Sequence, residues 1–257
     1  VRRSTRVWMA DWLALDRASQ RAWPALITER YDGWVLRYAR GYTRRANSIT
    51  PLVASSLPLA RKVACCQRRY VEQGIEPVFR IVDRGPALGV DAWLAAAGWG
   101  KRDPTLVLCR PLDSTTAEAR LLAAADDVDA LGIEDWIDAF VRITCDGREQ
   151  GPHREMLWRV ATHSLRLMLQ RDGQPVGCAL AVLRDGWLSL LDVAVVQAWR
   201  RQGLGSLMLQ RALAWGAAQG AVGAVLSVTA TNKPARALYA RLGFTASYAY
   251  WYRHPPI

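Results

Sequence analysis

The sequence predicts an α/β chain (α+β in detail) made of two supersecondary units in succession, and three observations carry that reading. Short apolar, β-branched runs alternate with segments of helical period, several of them stopped by a glycine. Two stretches, WLAAAGWGKRDPTLVL and LYARLGFTASYAYWYR, echo each other as helix end, glycine, aromatic and strand. The length of 257 residues exceeds one small α/β domain and suits two of about 100–150 residues.

Taken in order, Leu13–Trp23 has helical spacing, with Asp16 or Ser19 near its start. Asp32–Arg40 alternates with period two, Gly41 supplies a turn, and Thr43–Ile49 resumes extended character, a hairpin. The stretch GYTRRANSITPL is distinctive, and the sequence alone assigns it no chemistry: Arg44, Arg45 and Asn47 fix a turn and the domain interface, or they meet a ligand. Leu57–Gln73 reads as a helix stopped by Gly74, Pro77–Val82 as a strand, Gly89–Ala97 as a helix stopped by Gly98, and Thr105–Cys109 as a strand. Arg110–Thr116 (RPLDSTT) is a linker, which divides the chain at 110/111. Beyond it, Arg120–Ala125 reads as a strand, and Val128–Ile143 and Pro152–His163 as helices. Leu165–Gln170 and Pro175–Leu183 are strands turned by Asp172-Gly173, and Asp185-Gly186 turns into the next strand.

Composition narrows the class. Hydrophobic residues make up 51%, enough for a sizeable core, yet no apolar run approaches the ~20 residues of a membrane span. Val1–Arg6 is basic, but Trp8–Gln20 is amphipathic and unlike the apolar stretch of a secretory leader. The five cysteines are odd in number and lack metal-site spacing, which points to a reduced, cytoplasmic protein. His153, His163 and His254 show no i,i+4 pairing or Cys neighbours, so no metal is expected. The net charge of +11 is uneven: residues 1–110 hold 19 Lys or Arg against 9 Asp or Glu (+10), and residues 111–257 hold 15 against 14 (+1). That excess is dispersed and overwhelmingly Arg, without interleaved aromatics. It suits a solvated, ion-paired surface rather than a nucleic-acid footprint.

The chemistry converges on Leu188–Ser206, LSLLDVAVVQAWRRQGLGS. Its apolar run reads as a strand buried on both faces. Arg200-Arg201-Gln202-Gly203-Leu204-Gly205 then leads into an amphipathic helix. This order gathers free backbone N–H groups and the positive end of a helix dipole at one point, an anion site. The glycines let a pyrophosphate approach the main chain. A second apolar strand, Val222–Val228, follows, and then Asn232–Phe244, a short helix closed by Gly243. A V-x-V strand, an R-x-x-G-x-G loop and N-x-x-A-x-x-x-Y-x-x-x-G-F stand here in that order with unbroken spacing. Together they resemble the core of the GCN5-related N-acetyltransferases, and the resemblance covers Leu165–Tyr252 well.

The resemblance implies tandem domains of that family's fold, each a mixed, mostly antiparallel sheet flanked by helices. Residues 1–110 would be a degenerate copy, since SSLPLARK lacks the glycine loop and Trp93 stands where the second copy has Tyr239. Residues 111–257 would be the catalytic copy. The implied reaction is direct transfer of an acetyl group from acetyl-CoA to a primary amine in a ternary complex, as no cysteine stands in the loop or beside Tyr239. By the same resemblance Arg200, Arg201, Gln202, Gly203, Leu204, Gly205 and Ser206 cradle the pyrophosphate. The backbone of Val193, Ala194 and Val195 holds the pantetheine where two parallel strands splay apart, and Asn232 caps its helix, touches the pantetheine, or does both. Tyr239 matches the tyrosine that protonates the leaving thiolate, a role that suits a phenol of pKa near 10; its alternative is a core aromatic.

The general base is less defined. Ser189 occupies the position of the family's strand glutamate, and Asp192, three residues on, faces the other way unless the strand bulges. An unpaired Asp in an apolar strand costs several kcal/mol, so Asp192 has a structural partner or a catalytic task; His153 and His163 are further candidates. The expected acceptor is a small-molecule amine, amino acid or polyamine-like. A protein lysine or N-terminus, and a non-catalytic acyl-CoA-binding module, are the rival readings. Asp126, Asp127, Asp129, Glu134, Asp135 and Asp138 lie within a stretch free of basic residues. They form a solvated helix face or a field that steers a cationic amine.

Overall fold

A computed structural model of the chain describes residues 11–112 and 128–256. The first part runs α1 (Trp12–Ala22), β1 (Ile27–Tyr31), β2 (Trp34–Tyr38), β3 (Ile49–Pro51), α2 (Leu59–Glu72), β4 (Phe79–Val82), α3 (Ala87–Ala96) and β5 (Gly100–Pro111). The second runs β6 (Val128–Ala130), α4 (Ile133–Thr144), α5 (Gly151–Trp158), β7 (Ser164–Arg171), β8 (Gln174–Arg184), β9 (Trp187–Val195), α6 (Leu204–Ala218), β10 (Gly223–Thr229), α7 (Lys233–Arg241) and β11 (Thr245–His254).

All eleven strands join one mostly antiparallel sheet, ordered β1-β2-β3-β4-β11-β5-β10-β9-β8-β7-β6. The two echoing units exchange their last strands. β5 lies antiparallel to β10 from Pro111↔Gly223 to Thr105↔Thr229, and β11 lies antiparallel to β4 through Tyr250↔Val82. Between them β5 and β11 pair with each other. Strand alternation covers both faces of the sheet: Cys178, Leu180 and Val182 of β8 pack with α4 and α5, while Ala179 and Ala181 pack with α6.

Three stretches depart from the sequence expectation. Val128–Ala130 is not the start of a helix but a short strand paired with β7; Gly132, in extended conformation, separates it from α4. Thr43–Ile49 is not uniformly extended, because Arg44–Ala46 is a 3-10 turn. Asn47 holds that turn: its Oδ1 accepts from the N–H groups of Ala39 (2.6 Å) and Gly41 (3.0 Å), and its amide donates to the Thr43 carbonyl (2.8 Å). Residues 152–163 break into α5 and a separate turn, Ala161–His163. The strand expected at Arg120–Ala125 lies outside the described residues.

α1 is fastened to the sheet by a buried charge pair. Asp16 accepts from Arg80 of β4 at 2.7 Å and from the Tyr248 hydroxyl of β11 at 2.7 Å. Burial pushes its pKa up, but the Arg80 charge and the hydrogen bonds from Arg80, Tyr248 and Gln20 outweigh that and leave it below the ordinary value. No helix among the described residues is long and apolar enough to cross a membrane.

Candidate active site

The site begins where two parallel strands part. β9 and β10 pair from Trp187↔Gly223 to Leu190↔Leu226 and no further. Past that point β10 continues on β5 and β9 continues on β8. The main chain of Val193, Ala194 and Val195 therefore has no pairing to β10, leaving a strand edge for an extended ligand, with the Val195 carbonyl accepting from Arg200 Nε at 2.9 Å.

β9 also bulges there. Between the pairs Leu180↔Leu191 and Cys178↔Ala194 it carries one residue more than β8, and Asp192 sits at a φ of 46°. Asp tolerates this left-handed conformation better than most residues. The bulge breaks the alternation that would turn Asp192 away and brings its Oδ2 to 3.1 Å from His153 Nε2. An aspartate in an apolar strand thus has a partner.

His153 is fully buried, with rings of Tyr42 (5.0 Å), Phe140 (5.2 Å) and Trp23 (5.3 Å) around it. A ring proton on Nε2, facing the Asp192 carboxyl, leaves Nδ1 to accept from the Tyr42 hydroxyl 2.8 Å away; Gln150 Oε1 lies 3.2 Å from the same hydroxyl. Burial, and then the Asp192 carboxylate, push the Tyr42 phenol well above its ordinary pKa, so it stays protonated. The result is a hydrogen-bonded chain, Tyr42–His153–Asp192, that crosses from the first echoing unit to the second. Sequence reasoning missed Tyr42; the signal was the unexplained GYTRRAN stretch. Cys178 Sγ lies 3.6 Å from the Asp192 carbonyl, but burial and Asp192 raise its pKa and make it a poor nucleophile.

On the other side of β9, a 3-10 turn at Gln197–Trp199 leads to Arg200, Arg201 (φ 67°), Gln202 and Gly203 (φ 81°), and then to α6. No side chain caps the α6 N-terminus, so the N–H groups of Leu204, Gly205 and Ser206 are available to an anion. Gly203 is needed for the sign of its φ; a Cβ there would meet nothing within 4 Å. Gly205 is needed for closeness. Its Cβ would lie 3.3 Å from Leu238 Cδ2 and 3.9 Å from Val195 Cγ2, so α6 is pressed between the end of β9 and α7.

α7 starts at Asn232, whose Oδ1 accepts from the Ala235 N–H at 3.2 Å. Tyr239, two turns on, is buried at 8% exposure in the cluster that holds Leu204 and Met208, with Val193 and Val195 packed against it. Its hydroxyl has no hydrogen-bond partner among the described residues, and burial raises its pKa.

Next to the Tyr42 chain lies a cleft of about 600 Å³, lined by Arg44 and Arg45 of the β2–β3 loop, Arg148 of the α4–α5 loop, Thr229 of β10, and Tyr252 of β11. Tyr42 lines it as well. Beneath it a cavity of about 30 Å³ lies between Ser189–Leu191 and Val225–Ser227, at the point where β9 and β10 separate. Arg45, Ser227 and Tyr250 line both spaces.

Of the acidic run, Glu134, Asp135 and Asp138 do not line this cleft. Glu134, Asp135 and Asp138 are on the exposed face of α4, with Glu134 paired to Arg154 of α5 at 2.6 Å; Asp126 and Asp127 lie outside the described residues. His163 is exposed in its turn and hydrogen-bonds Thr162. In the first unit, the corresponding helix α2 starts at Pro58 without a glycine loop. No group of three or more His, Cys, Asp or Glu among the described residues is placed to hold a metal.

A family model described as "Probable histone acetyltransferase Rv0428c C-terminal" matches residues 9–253. The chain is 24% identical over 250 residues to a Bacillus subtilis (strain 168) protein called "Uncharacterized N-acetyltransferase YobR", a match covering 95% of this chain and 99% of that one. A solved GCN5-related N-acetyltransferase from Kribbella flavida has a TM-score of 0.67 at 18% identity, over 97% of each chain. Another, from Sphaerobacter thermophilus, has a TM-score of 0.61 at 15% identity, over 95% of this chain and 93% of that one. These structural likenesses extend across both echoing units, and the family match spans nearly the whole chain. The chain belongs to the family described by that model and is a GCN5-related N-acetyltransferase.

Proposed function

We propose that the chain transfers the acetyl group of acetyl-CoA to the primary amine of a small molecule held in the cleft beside Tyr42. The observation that carries this reading is the parting of β9 from β10 beyond Leu190 and Leu226, with the open β9 edge, the glycine loop and α7 packed around the gap. Residues 111–257 form the working unit, and residues 1–110 a degenerate copy that walls the acceptor side and binds no cofactor. The five cysteines are all free, which fits the reducing cytoplasm.

The residues present fit coenzyme A. The N–H groups of Gly203–Ser206, with Arg200 and Arg201, receive a pyrophosphate, and the backbone of Val193–Val195 receives an amide-bearing arm; Asn232 stands at the start of α7 beside them. Acetyl-CoA supplies the activated acetyl thioester. Everything else is done by the chain. The Tyr42 oxygen takes a proton from the incoming ammonium while its own passes to His153 Nδ1 and the Nε2 proton moves to Asp192. Across the gap, Tyr239 holds a proton on a phenol kept neutral by burial, gives it to the sulfur as the C–S bond breaks, and regains one from the second proton that the nitrogen sheds as the C–N bond becomes an amide.

The family model's description names a histone acetyltransferase, which raises a lysine-rich protein acceptor. The cleft's charge speaks against it: of the arginines that line it, Arg44 pairs with Asp103 and Arg148 with Asp146, and Arg45 has no carboxylate among the described residues, so the lining offers no net negative charge to draw a polycation. Thiol release from acetyl-CoA over a panel of small amines and lysine peptides tests the proposal. Turnover with a small amine, lost in Tyr239→Phe, is expected. Binding of CoA without thiol release on any acceptor would leave only a binding module.

A further inference from the structure

We infer that the acceptor carries a carboxylate as well as its amine, and that the small cavity between β9 and β10 receives that carboxylate with Arg80, Arg45, Ser19 and Ser189. The inference rests on the acetyl-transfer reading above and narrows its acceptor to the amino-acid class.

Charge balance is the first support. The guanidinium of Arg37, a residue at 3% exposure, hydrogen-bonds main-chain carbonyls only, those of Gln20 (3.0 Å), Trp23 and Arg45. Arg80 has Asp16. Arg45 lies over the Trp23 ring at 5.0 Å and has no carboxylate among the described residues. Three guanidinium groups therefore crowd one place with a single carboxylate between them. Buried cations are ordinarily paired, because an unpaired one costs several kcal/mol of lost hydration. Burial and then the Arg80 charge lower the pKa of Arg37 to about 10, which Asp16 offsets only in part.

Hydrogen-bond accounting is the second, independent support. Arg80 spends Nη2 on Asp16, and its Nη1 has no partner among the described residues; neither have Ser19 Oγ and Ser189 Oγ, although all three atoms are buried. Arg80 is 5% exposed and Ser189 2%. These three residues line one and the same cavity. A guanidinium N–H and two hydroxyls all offer protons, and a carboxylate is the group that accepts several at once.

Size and direction complete the case. The cavity's roughly 30 Å³ holds about two waters by a measure on which one needs about 10–15 Å³, so it suits a flat carboxylate and is tight for a tetrahedral phosphate. Arg45, Ser227 and Tyr250 line it and the outer cleft alike. A short acceptor anchored in the cavity would therefore extend its amine toward the cleft that Tyr42 lines.

The test is calorimetry on the full chain with glycine, alanine and β-alanine, each beside its primary amide, and with aminoethylphosphonate beside β-alanine. At least one acid should bind saturably, its amide about tenfold or more weaker, and the phosphonate weaker than its carboxylate counterpart. Arg45→Gln and Ser189→Ala should each weaken the acid about tenfold and leave the amide and CoA unchanged. Ser189→Ala removes a hydroxyl without a partner in the free protein, so its Tm should hold and its loss of binding is not a loss of fold. Equal binding of acid and amide, no saturable binding of any acid, or tighter binding of the phosphonate overturns the inference. Failure of CoA to bind in the same titrations would sink the acetyl-transfer reading instead, leaving the carboxylate result standing.

Discussion

Asp192 separates a catalytic role from a structural one, because two substitutions act on different parts of its job. Asp192→Asn keeps a side chain that tolerates the left-handed backbone (φ 46°) and an oxygen able to accept from His153 Nε2. Its folding cost should be about 1 kcal/mol or less, the size of one altered hydrogen bond. What it loses is the site where the relayed proton ends. Positioned bases contribute about 10²–10⁴-fold, so kcat should fall in that range, equivalent to about 3–5 kcal/mol of barrier, with CoA affinity intact. Asp192→Ala instead places an alanine in the left-handed region, at about 1–2 kcal/mol, and leaves a buried imidazole N–H unsatisfied, at about 1–3 kcal/mol. The sum of about 2–5 kcal/mol should lower Tm by about 5–15 °C in a chain of this size. Thermal melts and thiol-release kinetics on both variants decide it. If Asp192→Asn turns over within about threefold of wild type, the Tyr42–His153–Asp192 chain is structural and the base lies elsewhere.

Tyr239→Phe removes a hydroxyl without a partner among the described residues, so stability should change by about 0.5 kcal/mol or less while kcat falls about 10²-fold or more; full activity would leave Tyr239 a core aromatic. Tyr42→Phe should keep CoA affinity in calorimetry but lower kcat, showing that a residue of the first unit serves the reaction in the second. Asp16 provides a pH test. Its folded pKa is lowered, so its contribution is present above the unfolded value of about 3.9 and lost as pH falls through and below it. Urea midpoints should therefore drop below about pH 4, and less steeply in Asp16→Asn, which is destabilised at neutral pH by a deficit that narrows as the wild-type carboxyl protonates.

The parts of the site legible in the sequence are those built from neighbours in the chain. Arg200–Ser206 reads as an anion loop because strand, glycines and helix start are contiguous, and Asn232 reads as a cap because its partner is Ala235. An aspartate inside an apolar strand announced a partner at Asp192, though not which one. That partner, His153, is 39 residues from Asp192, and the next link, Tyr42, is 111 residues from His153, and no local pattern connects them. The 3-10 turn at Arg44–Ala46 escaped because Asn47 sets it through side-chain bonds that compete with extended pairing. The exchange of β5 and β11 escaped because each strand's alternation reports which face is buried and says nothing of its neighbour. The acidic face of α4 shows the converse: its charges are plain in the sequence, and only the fold shows them turned to solvent.

The central claim, that one coenzyme A binds at the glycine loop beside the open edge of β9, is tested most directly by titrating CoA into the wild type, Gly203→Ala and Gly203→Glu. Alanine adds the left-handed strain of about 1–2 kcal/mol and no charge; glutamate adds the same strain and a carboxylate at the proposed pyrophosphate site. The account predicts one CoA per wild-type chain, weakened binding to Gly203→Ala, and no detectable binding to a folded Gly203→Glu. Two CoA per chain, or undiminished affinity in Gly203→Glu, would contradict it.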